Sequence, residues 1–186
     1  MLARLSESSG ESSTGFSAED FRLIRAWRLC KRSRVASAFD GRGAAQNPGR
    51  WNGSGIAVVY TAESRSLASL EVLVHTEDTQ VLAAVRWAMI PVGIDESLIE
   101  LLQALPVNWS QLPAPQSTRE VGTRWVAESR SAVLRVPSIV VEGEFNYVLN
   151  PQHADFARLE IGEPLEFSFA PRLSGSSPSA VPLHRT

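Results

Sequence analysis

The chain has 186 residues, 44% of them hydrophobic, with 18 basic and 20 acidic side chains and a net charge of −2. That length suits one domain with its own core, and the composition is globular and not that of a disordered chain. The near-balanced charge gives no strong attraction to nucleic acid, and the single cysteine, Cys30, excludes an internal disulfide or a cysteine-rich zinc site and fits a reducing cytoplasm.

Residues 1–16 are serine-rich and lack the apolar run of a signal peptide, so a mobile start is expected. Ser17 and Asp20 offer a cap for a short helical turn. No apolar run approaches the ~20 residues of a membrane helix, and the expectation is a soluble cytoplasmic protein. "LIRAWRLC" reads as a first strand, Leu23 to Cys30. Residues 36–55 hold five glycines and a proline and read as a long loop, ordered by Trp51 and functional by its length. "IAVVY" (Ile56 to Tyr60) reads as a buried strand. A helix follows from about Ser66, with Leu67, Leu70 and Val74 on one face. "VLAAVRWAMI" (Val81 to Ile90) reads as a strand stopped by Pro91. "DESLIELLQAL" reads as a helix capped by Asp95. A proline-broken loop covers 106–116. Ser117 and Glu120 stand at capping-box spacing for a helix from Thr118 to about Arg130. "AVLRVPSIVV" is strand-like but carries Pro137, which requires an edge or a bulge. "EFNYVLNPQH" follows a Glu142-Gly143 turn. Leu165, Phe167 and Phe169 alternate as one face of a final strand, and a flexible tail ends the chain. Mixed strands and helices without strict alternation make this an α+β chain.

Three residues in "NPGRWNGSGIAVVYTAESRSLASLEVLVH" raise the question of chemistry. Glu71 lies beside Leu67 and Val74, where an unpaired carboxylate is costly. The bland reading is a surface glutamate facing His75 at i+4. Arg50 sits among small residues that let a ligand approach the backbone, and its planar fork suits a phosphate; the bland reading is an arginine that pins its own loop through carbonyls. Tyr60 ends the strand before the helix, where an aromatic side chain usually packs in the core. Together they offer an anion holder, an aromatic platform and a carboxylate. That set suits NAD, whose ribose becomes cationic as nicotinamide leaves, and it equally suits a sugar-nucleotide or generic phosphate site.

The pieces "GRWN", "VVYTAES", "LASLEVLVH", "VPSIVV" and "NYVLNP" together resemble the RES-domain family. The resemblance runs from about Ala26 to the final strand, with Pro48 where the family commonly has a second glycine. It implies a single α+β domain with an ADP-ribosyltransferase-like mixed sheet and flanking helices, spanning 17–172, between a flexible start (1–16) and a tail (173–186). It implies a toxin of a type II toxin–antitoxin system, restrained by an Xre-like antitoxin, with NAD as substrate; three scattered histidines and one cysteine make no metal site. By position it makes Arg50, Tyr60, Glu71 and Ser138 catalytic, and Arg28, Arg50, Tyr60 and Asn146 binders of NAD. ADP-ribose would pass to a protein target's side chain, to phosphate or to water. The other class is a binding module without turnover, against which the glutamate argues, since an anionic dinucleotide gains nothing from a negative wall. A nuclease fits poorly without a basic stripe or a metal set. His75 and His153 have no clear partner and are read as structural. Trp51 and Trp109 offer anchors for a partner over the cleft, or packing beneath their own loops.

Overall fold

The computed structural model describes residues 23–174; the serine-rich start, the Ser17–Asp20 cap and the tail from residue 175 lie outside the described residues. Eight strands form one sheet: β1 (Leu23–Lys31), β2 (Val59–Ala62), β3 (Trp87–Asp95), β4 (Ile99–Leu101), β5 (Val133–Pro137), β6 (Phe145–Leu149), β7 (Glu160–Ile161) and β8 (Leu165–Phe167). Their order is β4-β5-β6-β2-β1-β3-β7, with β8 also on β3. β4 and β5 are parallel, while the other pairs are antiparallel. Among the described residues, four α-helices flank the sheet: α1 (Arg42–Gln46), α2 (Arg65–Val74), α3 (Gln80–Ala84) and α4 (Gln116–Ala127). The chain is α+β, as its element pattern implies. Among the described residues, no helix is long and apolar enough to cross a membrane.

Strand alternation divides the core. Val133, Tyr147 and Leu149 pack with Ala26, Val92 and Ile94 on one face. Leu134, Val136 and Val148 point to the other, where α4 and the Trp51 loop cover them. Trp125 of α4 is fully buried there, and its indole N–H donates to Ser131 Oγ at 2.8 Å. α2 sets Leu67 and Ala68 on Leu29, Ala62 and Met89, beside Trp87 and Phe169.

β1 and β3 pair along nine residues, from Leu23↔Asp95 to Lys31↔Trp87. β1 meets β2 only at Trp27↔Ala62. Beyond that point the two strands part, and the sheet opens between them. This split positions the site.

Several elements differ from the sequence expectation. The second strand begins at Val59, so Tyr60 stands near its start and not its end. The Val81 half of the expected third strand is helical: Asp78 Oδ1 accepts from Gln80 N at 2.9 Å in the turn that leads into α3. β3 runs through Pro91. The Pro91 carbonyl accepts from Gly162 N at 2.9 Å, so its missing N–H also faces the β7–β8 connection and the β1 ladder loses nothing. Asp95 does cap, accepting from Ser97 N at 2.8 Å, but it caps one 3-10 turn, Glu96–Leu98. In place of the expected helix, this turn leads into β4, with Leu98 buried in the core and Ile99 packed against it.

α4 lacks the capping box. Ser117 Oγ bonds Asn108 Oδ1, and Glu120 accepts from Gln116. β5 ends at Pro137, two residues past Arg135, the last to pair with β4, so the outer side has no ladder for the proline to break. Phe167 and Phe169 pack edge-on at 5.1 Å, but Leu165 is exposed and Phe169 lies past the end of β8. On α2, Leu70 and Val74 are exposed, and the buried side is Leu67 and Ala68.

Candidate active site

The parting of β1 and β2 opens on a cavity of about 870 Å³. Arg28 of β1, Tyr60 of β2, Glu71 and His75 on α2, Arg50 on the loop before β2 and Asn146 of β6 all line it. Ser138 does not.

α2 starts where Ser64 Oγ accepts from Leu67 N at 3.0 Å. From that start, Ala68, Glu71, Val72 and His75 fall at three- and four-residue spacing and face the cavity together. Glu71 Oε1 accepts from Asn146 Nδ2 at 2.6 Å and from Ser138 Oγ at 3.0 Å. Ser138 is buried behind it, its backbone N–H tied to Glu144 O at 2.9 Å. Its hydroxyl accepts from Val140 N at 3.0 Å and Val141 N at 3.3 Å. With both lone pairs engaged, the single hydroxyl proton is directed to Glu71. The serine therefore orients a carboxylate and does not reach the cavity itself. The Glu71 side chain keeps 25% of its surface exposed.

The loop opposite is organised by Asn52, which is fully buried. Its Oδ1 accepts from Gly49 N at 2.9 Å and from the Tyr60 hydroxyl at 2.8 Å. Its Nδ2 donates to the carbonyls of Ala44, Gly53 and Ile56 at 2.8, 3.2 and 3.1 Å. Trp51 N donates to the Tyr60 oxygen at 3.0 Å. Burial pushes the Tyr60 hydroxyl well above the ordinary phenol range, partly offset by the Trp51 N–H and by Arg119 and Arg50. It stays protonated and holds the loop while its ring lines the cavity. Gly49 is required here, since a side chain would meet the Tyr60 hydroxyl at 2.7 Å. Sequence reasoning missed Asn52. The available signal was an asparagine among glycines in "GRWNGSG", which reads equally well as a turn.

Arg50 Nη1 donates to the carbonyls of Trp109 and Gln111, the latter at 3.0 Å. The bland expectation for this residue thus holds for its hydrogen bonds: it ties its loop to the proline-rich loop. It also lines the cavity, where burial lowers its pKa and Glu71 and then Tyr60 oppose that shift. Arg28 Nη1 reaches across the split to Tyr60 O at 2.9 Å. Its Nε is buried with no hydrogen-bond partner. Arg28 itself lines the cavity, and a guanidinium there suits an anionic ligand.

His75, read from sequence as structural, lines the cavity with Nε2 4.0 Å from Glu71 Oε2. His153 is structural: its Nδ1 accepts from Asp155 N at 3.1 Å and caps a 3-10 turn. Trp51 is 2% exposed and packs on Trp125 and Val58, so it is a core residue and not an anchor for a partner. Trp109 is partly buried against the same cluster.

The model of the RES domain matches residues 25–170. The chain belongs to the RES domain family. It is 42% identical over 150 residues to Toxin Res of Yersinia enterocolitica, covering 79% of this chain and 97% of that protein. It is 32% identical over 154 residues to the Prs ADP-ribosylating toxin of a Sphingobium species, covering 79% and 94%. The RES domain here also shares its fold with a chain in the crystal structure of the M. tuberculosis MbcT–MbcA toxin–antitoxin complex. That likeness has a TM-score of 0.66 at 16% identity, over 82% of this chain and 87% of the other. At that identity the likeness is one of fold.

Proposed function

We propose that this chain is the toxin of a toxin–antitoxin pair and that it acts by consuming NAD. One observation carries the reading. Glu71, fixed by Ser138 and Asn146, stands on the wall of an 870 Å³ cavity that Arg28, Arg50 and Tyr60 also line. That volume lies in the range of small-molecule sites, toward its upper end, as a dinucleotide requires. The names of the relatives, toxins throughout and an ADP-ribosylating toxin in one case, support the same reading.

In this mechanism the diphosphate lies near Arg28 and Arg50, and the nicotinamide ring packs on Tyr60. The bond between ribose C1′ and the nicotinamide nitrogen breaks, and its electron pair leaves with the ring and neutralises it. Positive charge grows on the ribose, and the Glu71 carboxylate, already oriented, stabilises it without rearranging. Ser138 and Asn146 are positioning residues for that carboxylate. ADP-ribose then passes to an acceptor: a protein side chain, phosphate or water. An Xre-like antitoxin restrains the toxin in the cytoplasm by covering the cavity.

The test is to incubate the purified protein with NAD, alone, with phosphate and with cell lysate, and to measure free nicotinamide. Release in any of these supports the reading, and the condition that gives it names the acceptor. No release in all three overturns it.

A further inference from the structure

His75 closes α2 one turn after Glu71, and the two side chains line the same cavity. Its Nε2 lies 4.0 Å from Glu71 Oε2, while Oε1 is held by Ser138 and Asn146. The imidazole is 77% exposed, so it stands at the mouth, where an acceptor from solution arrives. The other ionisable groups around the cavity are ill suited to take a proton there. Arg28, Arg34, Arg42 and Arg50 are cations, and burial pushes the Cys30 thiol up, so that it keeps its proton. The Tyr60 hydroxyl is bound to Asn52. Asp40 accepts from Arg42 N at 2.9 Å and lies 3.7 Å from its guanidinium. His75 also sits at the C-terminal cap of α2, one turn from the carboxylate.

We propose that His75 is a further catalytic residue, the base that takes the acceptor's proton during transfer. The inference rests on the NAD-consuming reading of the cavity. As the C1′–nitrogen bond breaks and nicotinamide leaves with the electron pair, the acceptor's lone pair forms the new bond to C1′. The proton released by the acceptor passes to Nε2 of the neutral imidazole. The imidazolium, held beside Glu71, then returns it to water. This divides the labour on α2: Glu71 stabilises the charge on the sugar and His75 removes the charge on the nucleophile.

His75→Gln is the variant to make, because an exposed side chain at a helix end is expendable for folding. With NAD and water as acceptor, kcat for nicotinamide release should fall by roughly 10²-fold or more, with KM for NAD within about twofold of wild type. Azide carries no proton at neutral pH and needs no base. Adding it should restore turnover in His75→Gln, with the azide adduct of ADP-ribose as product, while Glu71→Gln stays slow. A structural role for His75 would not give rescue by azide. Unchanged kcat in His75→Gln, or a fall that azide does not repair, overturns the inference. Wild-type protein that releases no nicotinamide removes the reading beneath it, an outcome distinct from either.

Discussion

The hydroxyl of Ser138 has one proton to give, and its acceptor side is occupied by Val140 N and Val141 N. Ser138→Ala therefore has two separable consequences. Glu71 loses one of its two donors, and kcat should fall about 10-fold or more with little change in KM for NAD. The two N–H groups lose their acceptor, which should cost about 1–3 kcal/mol in denaturant unfolding. Arg50→Lys tests the opposite wall. Lysine keeps the charge but not the planar guanidinium whose Nη1 holds both the Trp109 and Gln111 carbonyls. The expected results are a raised KM for NAD and faster proteolysis within 106–116. An unchanged KM would leave Arg50 with its loop-pinning role only. Tyr60 adds a pH dependence. Its hydroxyl is pushed upward by burial, so the folded state favours the protonated form. That stability is complete below the ordinary phenol range near 10 and fades as pH rises through the higher folded value. The wild type should lose stability in alkali more steeply than Tyr60→Phe.

At the scale of elements, the strand–helix unit carrying Arg50, Tyr60 and Glu71 was legible because those residues are close in the chain. The partners of Glu71 were not legible from spacing. Ser138 and Asn146 lie 67 and 75 residues away and reach it only because β5 and β6 fold back past β2. They entered the sequence reading through family resemblance alone. The misread elements share one cause, since short apolar runs do not separate helix from strand. Asp78, whose carboxylate accepts from Gln80 N just before α3, was the missed signal. The β4 strand had no such signal, because parallel pairing with β5 is decided by packing far along the chain. Gly122 on α4 gives a test of this packing. Helix propensity alone favours Gly122→Ala by about 1 kcal/mol. The added carbon would lie 1.7 Å from Trp51 O, a backbone atom that cannot swing aside. Overpacking of that kind costs about 1–3 kcal/mol or more. The variant should therefore be less stable, with a lower Tm, and should bind NAD more weakly because the Arg50 loop must move.

Over the whole molecule, the site exists because the sheet is held together by β1 and β3 along its length and parts between β1 and β2. A ligand that fills the opening ties α2, β1 and the Arg50 loop together. NAD at about 100 times its Kd should then raise stability by about 2.7 kcal/mol, read as an upward shift in Tm under conditions that limit turnover. The most direct measurement compares nicotinamide release from NAD by wild type and by Glu71→Gln, with circular dichroism and Tm confirming that both are folded. Glutamine keeps the shape of the side chain and removes the charge that would face the ribose. The account predicts release by wild type and a fall of roughly 10²–10³-fold in the variant. A folded Glu71→Gln protein that releases nicotinamide at the wild-type rate would contradict it.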